Sequence, residues 1–385
     1  KGNMMKKFRA AIAGAGFMGA AHTEALRRLG IEISVILGID FQESQRAAIK
    51  LGLPHDYNTF DEICTDPNVD VVHLCTPNYL HHPMAKAALQ AGKHVICEKP
   101  LANSAAEAQE LANLAQNGPC IGAVNYNLRY YPLCQEAHRR VRSGEIGDVR
   151  LIHGEYCQDW LFSINDWNWR LIPELGGSLR VVADVGSHWL DMVTWLTGLD
   201  VVAVMADFAT FIPVRHKPRT EVETFASKLS QSDEYDEVRV NTEDYAGLLV
   251  KFSHGARGVV TLSQINAGRK NHFFWELNGS KASLWWDQEN PNELWVGHRD
   301  EPNELVLKDP ALMNAEARHF AGYPGGHAEG YPDTHMQLFK SVYQYLAEEK
   351  SAHPQPFPTF RDGWREMVLC EAIQKSAVEN RWVEV

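Results

Sequence analysis

Apolar and polar positions follow two different rhythms along this chain, and the change falls near Asn125. Before it, short apolar runs over 8–13, 33–39, 69–75, 94–97 and 120–124 read as strands. Between them lie stretches with helical spacing over 20–29, 42–51, 79–91 and 103–116, with Asn103 as an N-cap and Gly30 and Gly92 as stops. Strands separated by helices of this length predict a doubly wound parallel sheet. After Asn125 come a helix over 132–143, a strand over 149–157, an irregular aromatic stretch over 158–183 and a helix over 184–196. Apolar strands then follow over 201–211, 246–252, 257–264, 273–277, 283–286 and 293–296. Short turns such as His254-Gly255 and Asn278-Gly279 join some of them, which predicts a mostly antiparallel sheet. The polar run 213–244 reads as a long surface loop, 336–348 as a helix, 351–359 as a proline-rich linker and 361–380 as a final amphipathic helix. No internal repeat is present. The expected fold is α/β: a Rossmann-type domain over 4–124, then an α+β domain over 125–385 whose last helix could pack back on the first. A length of 385 residues exceeds what one core serves.

Polar residues interrupt this pattern in informative places. The first strand runs into Gly14-Ala15-Gly16-Phe17-Met18-Gly19, and the second ends in Asp40. Strand, G-x-G-x-x-G, helix, strand and acid within about 30 residues is the layout of a dinucleotide-binding unit. Gly14 permits the tight turn, Gly16 admits a pyrophosphate against the backbone, and Gly19 lets helix and strand pack closely. The anion would lie on the N–H groups at the helix start, Phe17 and Met18 included. Asp40 is placed for the ribose hydroxyls, and Phe41 rather than an arginine follows it, so NAD is expected over NADP. Two further strands end in Thr76-Pro77-Asn78 and Glu98-Lys99-Pro100. Ligands bind at the carboxyl ends of such strands, which predicts Lys99 beside the cofactor.

In the second domain, Asp184-Val185-Gly186-Ser187-His188 places a carboxylate and an imidazole at i, i+4 on one helical face, and Asp191 could orient the ring. An isolated D-x-x-x-H is ordinarily a capped helix with a satisfied histidine. The glycine pair Gly176-Gly177 and the tryptophan-rich stretch before it raise it to a candidate site.

The totals exclude other classes. Net charge is −12, with no basic tract, so neither nucleic acid nor an anionic membrane is the expected partner. No apolar run would span a bilayer and no signal-peptide core is present; Lys1-Gly2-Asn3 ahead of Met4-Met5 reads as an appended tail. Seven scattered cysteines without a C-x-x-C pair point to reduced thiols in a cytoplasmic protein. The pairs His81-His82 and His22/His138 lack ligand spacing, so no metal is expected.

These motifs together resemble the glucose–fructose oxidoreductase/inositol dehydrogenase/rhizopine catabolism (Gfo/Idh/MocA) family over essentially the whole chain. The carriers are Gly14–Gly19, Thr76-Pro77-Asn78 with His81, Glu98-Lys99-Pro100, Asn125–Tyr130 (Asn127 included) and Asp184–Asp191. The resemblance implies a homodimer or homotetramer formed through the second domain's sheet and a cis Lys99–Pro100 bond. It also implies catalytic roles for Lys99, Asp184 and His188. The segment 156–170 is similar to the sugar-specific, levoglucosan-dehydrogenase-like subgroup. The expected reaction is hydride transfer between a secondary hydroxyl of a sugar, anhydrosugar or polyol and nicotinamide. Substrate contacts are expected from Gln158, Trp160, Trp169 and Arg170, with Asp159 and Trp167 nearby, and more weakly from His327 and Tyr331. Two alternatives from other classes are a glycoside hydrolase using NAD transiently and a non-catalytic NAD-binding regulator.

Overall fold

The computed structural model describes residues 8–54, 57–219, 234–348 and 354–385. The tail ahead of Phe8, and part of each expected segment 213–244 and 351–359, lie outside the described residues. Two compact units form. One takes the chain as far as Asn127 with Glu174–Gly177 and Pro332–Met367; the other takes Leu128–Pro173, Ser178–Tyr331 and Val368–Val385. Among the described residues no helix is long and apolar enough to cross a membrane.

The first unit runs β1 (Arg9–Ala13), α1 (Phe17–Arg28), β2 (Glu32–Leu37), α2 (Phe41–Leu51), α3 (Phe60–Thr65), β3 (Val71–Leu74), α4 (His81–Gln90), β4 (His94–Cys97), α5 (Ala105–Asn117) and β5 (Gly122–Val124). The strands form a parallel sheet in the order β2-β1-β3-β4-β5. Val71, Val72, Leu74, Val95, Ile96 and Cys97 are fully buried, as a sheet covered on both faces requires. Strand order reverses between β1 and β3, and the glycine loop and Thr76 follow those two strands, so both stand at the switch-point crevice. The cap of α5 is Ser104, which accepts from Glu107 N, and not the expected Asn103. The short α3 escaped the sequence pattern; Thr59 and Glu62 hold it with a capping box.

The second unit contains α6 (Pro132–Arg142), β6 (Val149–Cys157), α7 (Ser187–Thr197), β7 (Val201–Ala209), β8 (Val214–Pro218), β9 (Tyr235–Arg239), β10 (Tyr245–Phe252), β11 (Arg257–Ser263), β12 (His272–Gly279), β13 (Ser283–Asp287), β14 (Glu293–Gly297), β15 (Glu304–Leu307) and β16 (Val383–Glu384). Nine strands make one sheet in the order β15-β14-β13-β12-β6-β11-β10-β7-β16. Its pairs are antiparallel except β6–β11, which is parallel. The expected loop 213–244 instead holds β8 and β9, paired with each other in a separate two-stranded sheet. Their charged residues hid the pattern, because a two-stranded ribbon needs no apolar face along its whole length. On the main sheet's inner face, Trp189 of α7 is fully buried and donates from Nε1 to Phe274 O at 3.1 Å. Gly154 makes this approach possible, since a Cβ there would overlap both groups. The register puts Leu151, Leu249, Val259, Leu305 and Leu307 together on the outer face, all exposed.

Two more helices follow, α8 (Tyr331–Ala347) and α9 (Phe360–Glu379). α8 begins at Tyr331 rather than at 336, because Pro332 is tolerated in a first helical turn and the polar Thr334 and His335 are buried.

Candidate functional site

In the first unit each glycine of the loop meets the requirement read for it. Gly14 has φ +110°, and a Cβ there would overlap the Cys75 carbonyl. A Cβ on Gly19 would overlap the Gly14 carbonyl oxygen, whereas one on Gly16 meets nothing within 4 Å. Gly16 is also the N-cap of α1, and no side chain caps that helix. The space above Gly16 and the uncapped helix start fit an anion held by backbone N–H groups. Thr76 supports the same reading, because its buried Oγ1 makes no hydrogen bond. The residues present therefore fit a dinucleotide. Asp40 is exposed at the end of β2 and caps α2, Oδ1 accepting from Glu43 N at 2.8 Å.

His81 links the two loops flanking this crevice. Its Nδ1 lies 2.7 Å from Pro100 O and its Nε2 2.8 Å from Thr76 O. The Lys99–Pro100 bond is cis, as the resemblance implies. Asn78, after Pro77, donates from its amide to Gly176 O at 2.9 Å. Two more residues expected at the cofactor have side chains engaged within the unit. Asn127 donates to Thr334 Oγ1 at 2.7 Å. The Glu98 carboxylate lies 3.0 Å from His22 Nε2 and accepts from Asn125 Nδ2. His22 continues through His73 (Nδ1 to Nδ1, 3.0 Å) to Tyr343 Oη, 3.0 Å from His73 Nε2. Asn125 also reaches His335 Nδ1 at 3.1 Å.

This buried chain has definite charge states. Burial raises the Glu98 carboxyl, but the His22 and Asn125 contacts outweigh it and bring the group to about 2. Burial, helped by the His22 charge, pushes His335 down to about 3, and the same causes hold His73 well below the usual histidine value. An ionised glutamate, next in sequence to Lys99, thus shares this network with two imidazoles, His73 and His335, whose burial disfavours their charged form.

In the second unit, Asp184 and His188 do not share a regular helix. Val182–Gly186 form a π-helical turn ahead of α7, which alters the expected i, i+4 relation. Glu243 anchors that turn by accepting from Arg180 N at 2.9 Å and Val182 N at 3.0 Å. Gly186 packs so closely on β11 that a Cβ would crowd Leu262. Such π-turns recur at functional sites. Both Asp184 oxygens are engaged: Arg170 Nε lies 3.2 Å from Oδ1, and Gln264 donates to Oδ2 at 2.7 Å. His188 is buried, its ring 6.1 Å from that of Tyr156. Burial first, then the Tyr331 and Asp184 groups, hold Tyr156 well above the ordinary phenol value. It remains a neutral donor to Asn271 Oδ1 at 2.8 Å. Asp191, read as a possible support for the His188 ring, is bound by Arg129 through two N–H groups, Nε to Oδ2 at 2.8 Å.

The remaining substrate candidates divide. Gln158 donates to Asn271 Oδ1 at 2.8 Å and accepts from Trp160 Nε1 at 2.9 Å. Trp160 lies in an apolar cluster with Leu161, Leu171, Val240 and Trp167, so it backs Gln158 as packing. The Trp169 ring stacks under the Arg170 guanidinium, 4.4 Å away, and Asp159 pairs with Lys270. Tyr331 opens α8, while His327 is exposed on a loop tied down by Lys308. Sequence reasoning missed Gln264 and Asn271. The signal was present, since each is a polar residue beside the end of an apolar strand, as Lys99 is.

Comparison with known proteins agrees with the fold described above. A profile described as an oxidoreductase family with an NAD-binding Rossmann fold matches residues 8–126, and the Gfo/Idh/MocA C-terminal domain profile matches 134–285. The chain is 28% identical to levoglucosan dehydrogenase of Pseudarthrobacter phenanthrenivorans over 99% of both chains. A crystal structure of an oxidoreductase domain protein from Kribbella flavida is 30% identical and superposes with TM-score 0.88, covering 99% of this chain and 100% of that one. A levoglucosan dehydrogenase complexed with NADH and L-sorbose is 27% identical, with TM-score 0.87 over 98% of each chain. With both halves matched in their expected order, this chain belongs to the Gfo/Idh/MocA family of NAD-binding oxidoreductases.

Proposed function

We propose that the protein is an NAD-dependent dehydrogenase acting on a secondary hydroxyl of a sugar, an anhydrosugar or an inositol-like polyol. The observation that carries the reading is the Asp184 cluster, an oriented carboxylate beside a buried imidazole and a neutral tyrosine. Acceptors and donors of this kind suit a polyhydroxylated ring. NAD, when bound, supplies the hydride acceptor. Lys99 hydrogen-bonds the reacting hydroxyl and stabilises the alkoxide that develops. His188 takes the proton, as an imidazole can near neutral pH. Asp184 accepts from a neighbouring hydroxyl, and Arg170 and Gln264 keep its oxygens in place. Gln158, Trp169 and Tyr331 extend the sugar contacts. Gly14, Gly16, Phe17, Met18, Gly19 and Asp40, with Thr76, Pro77 and Asn78, hold the dinucleotide. An acid at residue 40 followed by Phe41 favours NAD over NADP, because an exposed carboxylate repels a 2′-phosphate.

Two further readings belong to this proposal. The exposed outer sheet face pairs with that of a second copy, burying Leu151, Leu249, Val259, Leu305 and Leu307. The protein works in the reducing cytoplasm, consistent with seven cysteines that are all free thiols.

The test is a panel of monosaccharides, anhydrosugars and inositols, followed by NADH absorbance with NAD⁺ and separately with NADP⁺. NADH should accumulate with at least one sugar or polyol and NAD⁺. Release of an aglycone without net NADH, or tight NAD binding with no redox activity on any compound, would overturn the reading.

A further inference from the structure

At one end of β12 and β13, next to Asn271, three further ligand-type side chains converge. His272 Nδ1, Asp287 and Glu289 present ligand atoms all within 4.8 Å of one another. Nδ1 lies 3.3 Å from Asp287 Oδ1 and 3.2 Å from Glu289 Oε2. His272 is only 6% exposed, yet this nitrogen makes no hydrogen bond to either oxygen. The other ring nitrogen, Nε2, lies 2.8 Å from Glu155 Oε1. A carboxylate there favours the tautomer protonated on Nε2, which turns the Nδ1 lone pair toward two carboxylate oxygens. Such convergence of electron-rich atoms in a buried place calls for a positive charge between them.

The distances suit a cation better than a proton. Ligands about 2.0–2.1 Å from a tetrahedral metal stand roughly 3.3 Å apart along the tetrahedron's edges, close to the two separations seen. A carboxylate on the far nitrogen is the usual support of a metal-bound histidine. Both acidic ligands are held as well. Glu289 Oε1 accepts from Lys270 N at 3.2 Å and Asn271 N at 3.4 Å, and Asp287 Oδ1 accepts from Glu289 N at 2.9 Å. Arg269, 3.3 Å from Glu289 Oε2 on a half-exposed side chain, is the competing cation at the rim.

We propose that His272, Asp287 and Glu289 bind one first-row divalent cation, zinc or manganese, with water completing its coordination. One imidazole and two carboxylates favour such a metal over calcium, which takes oxygen ligands. Asn271, next to His272, receives hydrogen bonds from both Tyr156 and Gln158. A bound cation therefore stiffens the start of β12, and through Asn271 it steadies those two side chains.

The test uses the full chain, stripped with a chelator and titrated calorimetrically with Zn²⁺ alone, Mn²⁺ alone and Ca²⁺ alone. One equivalent of Zn²⁺ or Mn²⁺ should bind and raise the melting temperature, whereas Ca²⁺ should not. His272→Ala should abolish binding, with folding checked by circular dichroism. Glu289→Gln, at a partly exposed position, should weaken binding at least tenfold while leaving the melting temperature of the metal-free protein unchanged. Glu155→Gln, acting through His272, should weaken it about 10–100-fold. Absence of binding by both Zn²⁺ and Mn²⁺, or wild-type binding in the Glu289 and Glu155 variants, would overturn the proposal.

Discussion

Single residues here separate folding from ligand binding. Gly16 and Gly19 belong to one motif, but a Cβ meets open space at the first and the Gly14 carbonyl at the second. Gly16→Ala should therefore keep its melting temperature and lose NAD affinity on the order of tenfold, about 1.4 kcal/mol, in a calorimetric titration. Gly19→Ala should lose about 1–3 kcal/mol of stability in urea unfolding. Equal effects of the two substitutions would contradict the roles assigned. Lys99→Ala and His188→Ala should each lower kcat by roughly 10²–10⁴-fold, the range typical of a positioned proton-transfer group, with NAD binding retained. Near-normal turnover in either variant would remove that residue from the mechanism.

Elements carry the pH dependence. β3, β4, α1 and α8 bury the chain from Tyr343 through His73 and His22 to Glu98, with Asn125 and His335 beyond it. His335 sits at about 3 in the fold against 6.5 unfolded. Below pH 6.5 the unfolded chain thus binds a proton that the fold refuses, so stability falls as pH drops toward 3. The slope for one such histidine is about 1.4 kcal/mol per pH unit. Glu98, at about 2 against 4.5, adds a second loss as pH falls from 4.5 toward 2. Urea unfolding at pH 7, 6 and 5 should show the first decline, and His335→Asn should flatten it by about the same slope. An unchanged pH slope in that variant would show that His335 is not held neutral. The network also explains why Glu98, in a cofactor motif, faces inward: a fixed anion beside Lys99 anchors the turn from beneath.

At the scale of the molecule, the nine-stranded sheet has one face packed by helix and one with five exposed aliphatic side chains. An antiparallel sheet can face water on one side, but that side is then normally polar. Sedimentation velocity should find more than one copy per particle. The paired substitution Leu249→Lys and Val259→Lys, placing two charges at adjacent register positions, should shift the protein toward monomer without lowering its helix and strand content. A monomeric wild type would remove the proposed interface.

Where periodicity was local, the sequence was sufficient by itself. It predicted the parallel strands, the glycine loop and the main antiparallel strands to within a few residues, because each rests on short-range backbone preference and on burial of one face. It also raised Lys99 as a candidate, as a charge at the end of an apolar strand, and Asp184 with His188 by their helical spacing; their roles rest on the proposal above. Tertiary structure decided the rest. The π-turn beneath Asp184 exists because Glu243, distant in sequence, receives its N–H groups. Asp191 went to Arg129, Glu98 to His22, and Trp160 to an apolar cluster, each through a partner that no spacing rule names. His272 met Asp287 and Glu289 only when β12 paired with β13. Local pattern says which residues leave the core; only packing says what they meet.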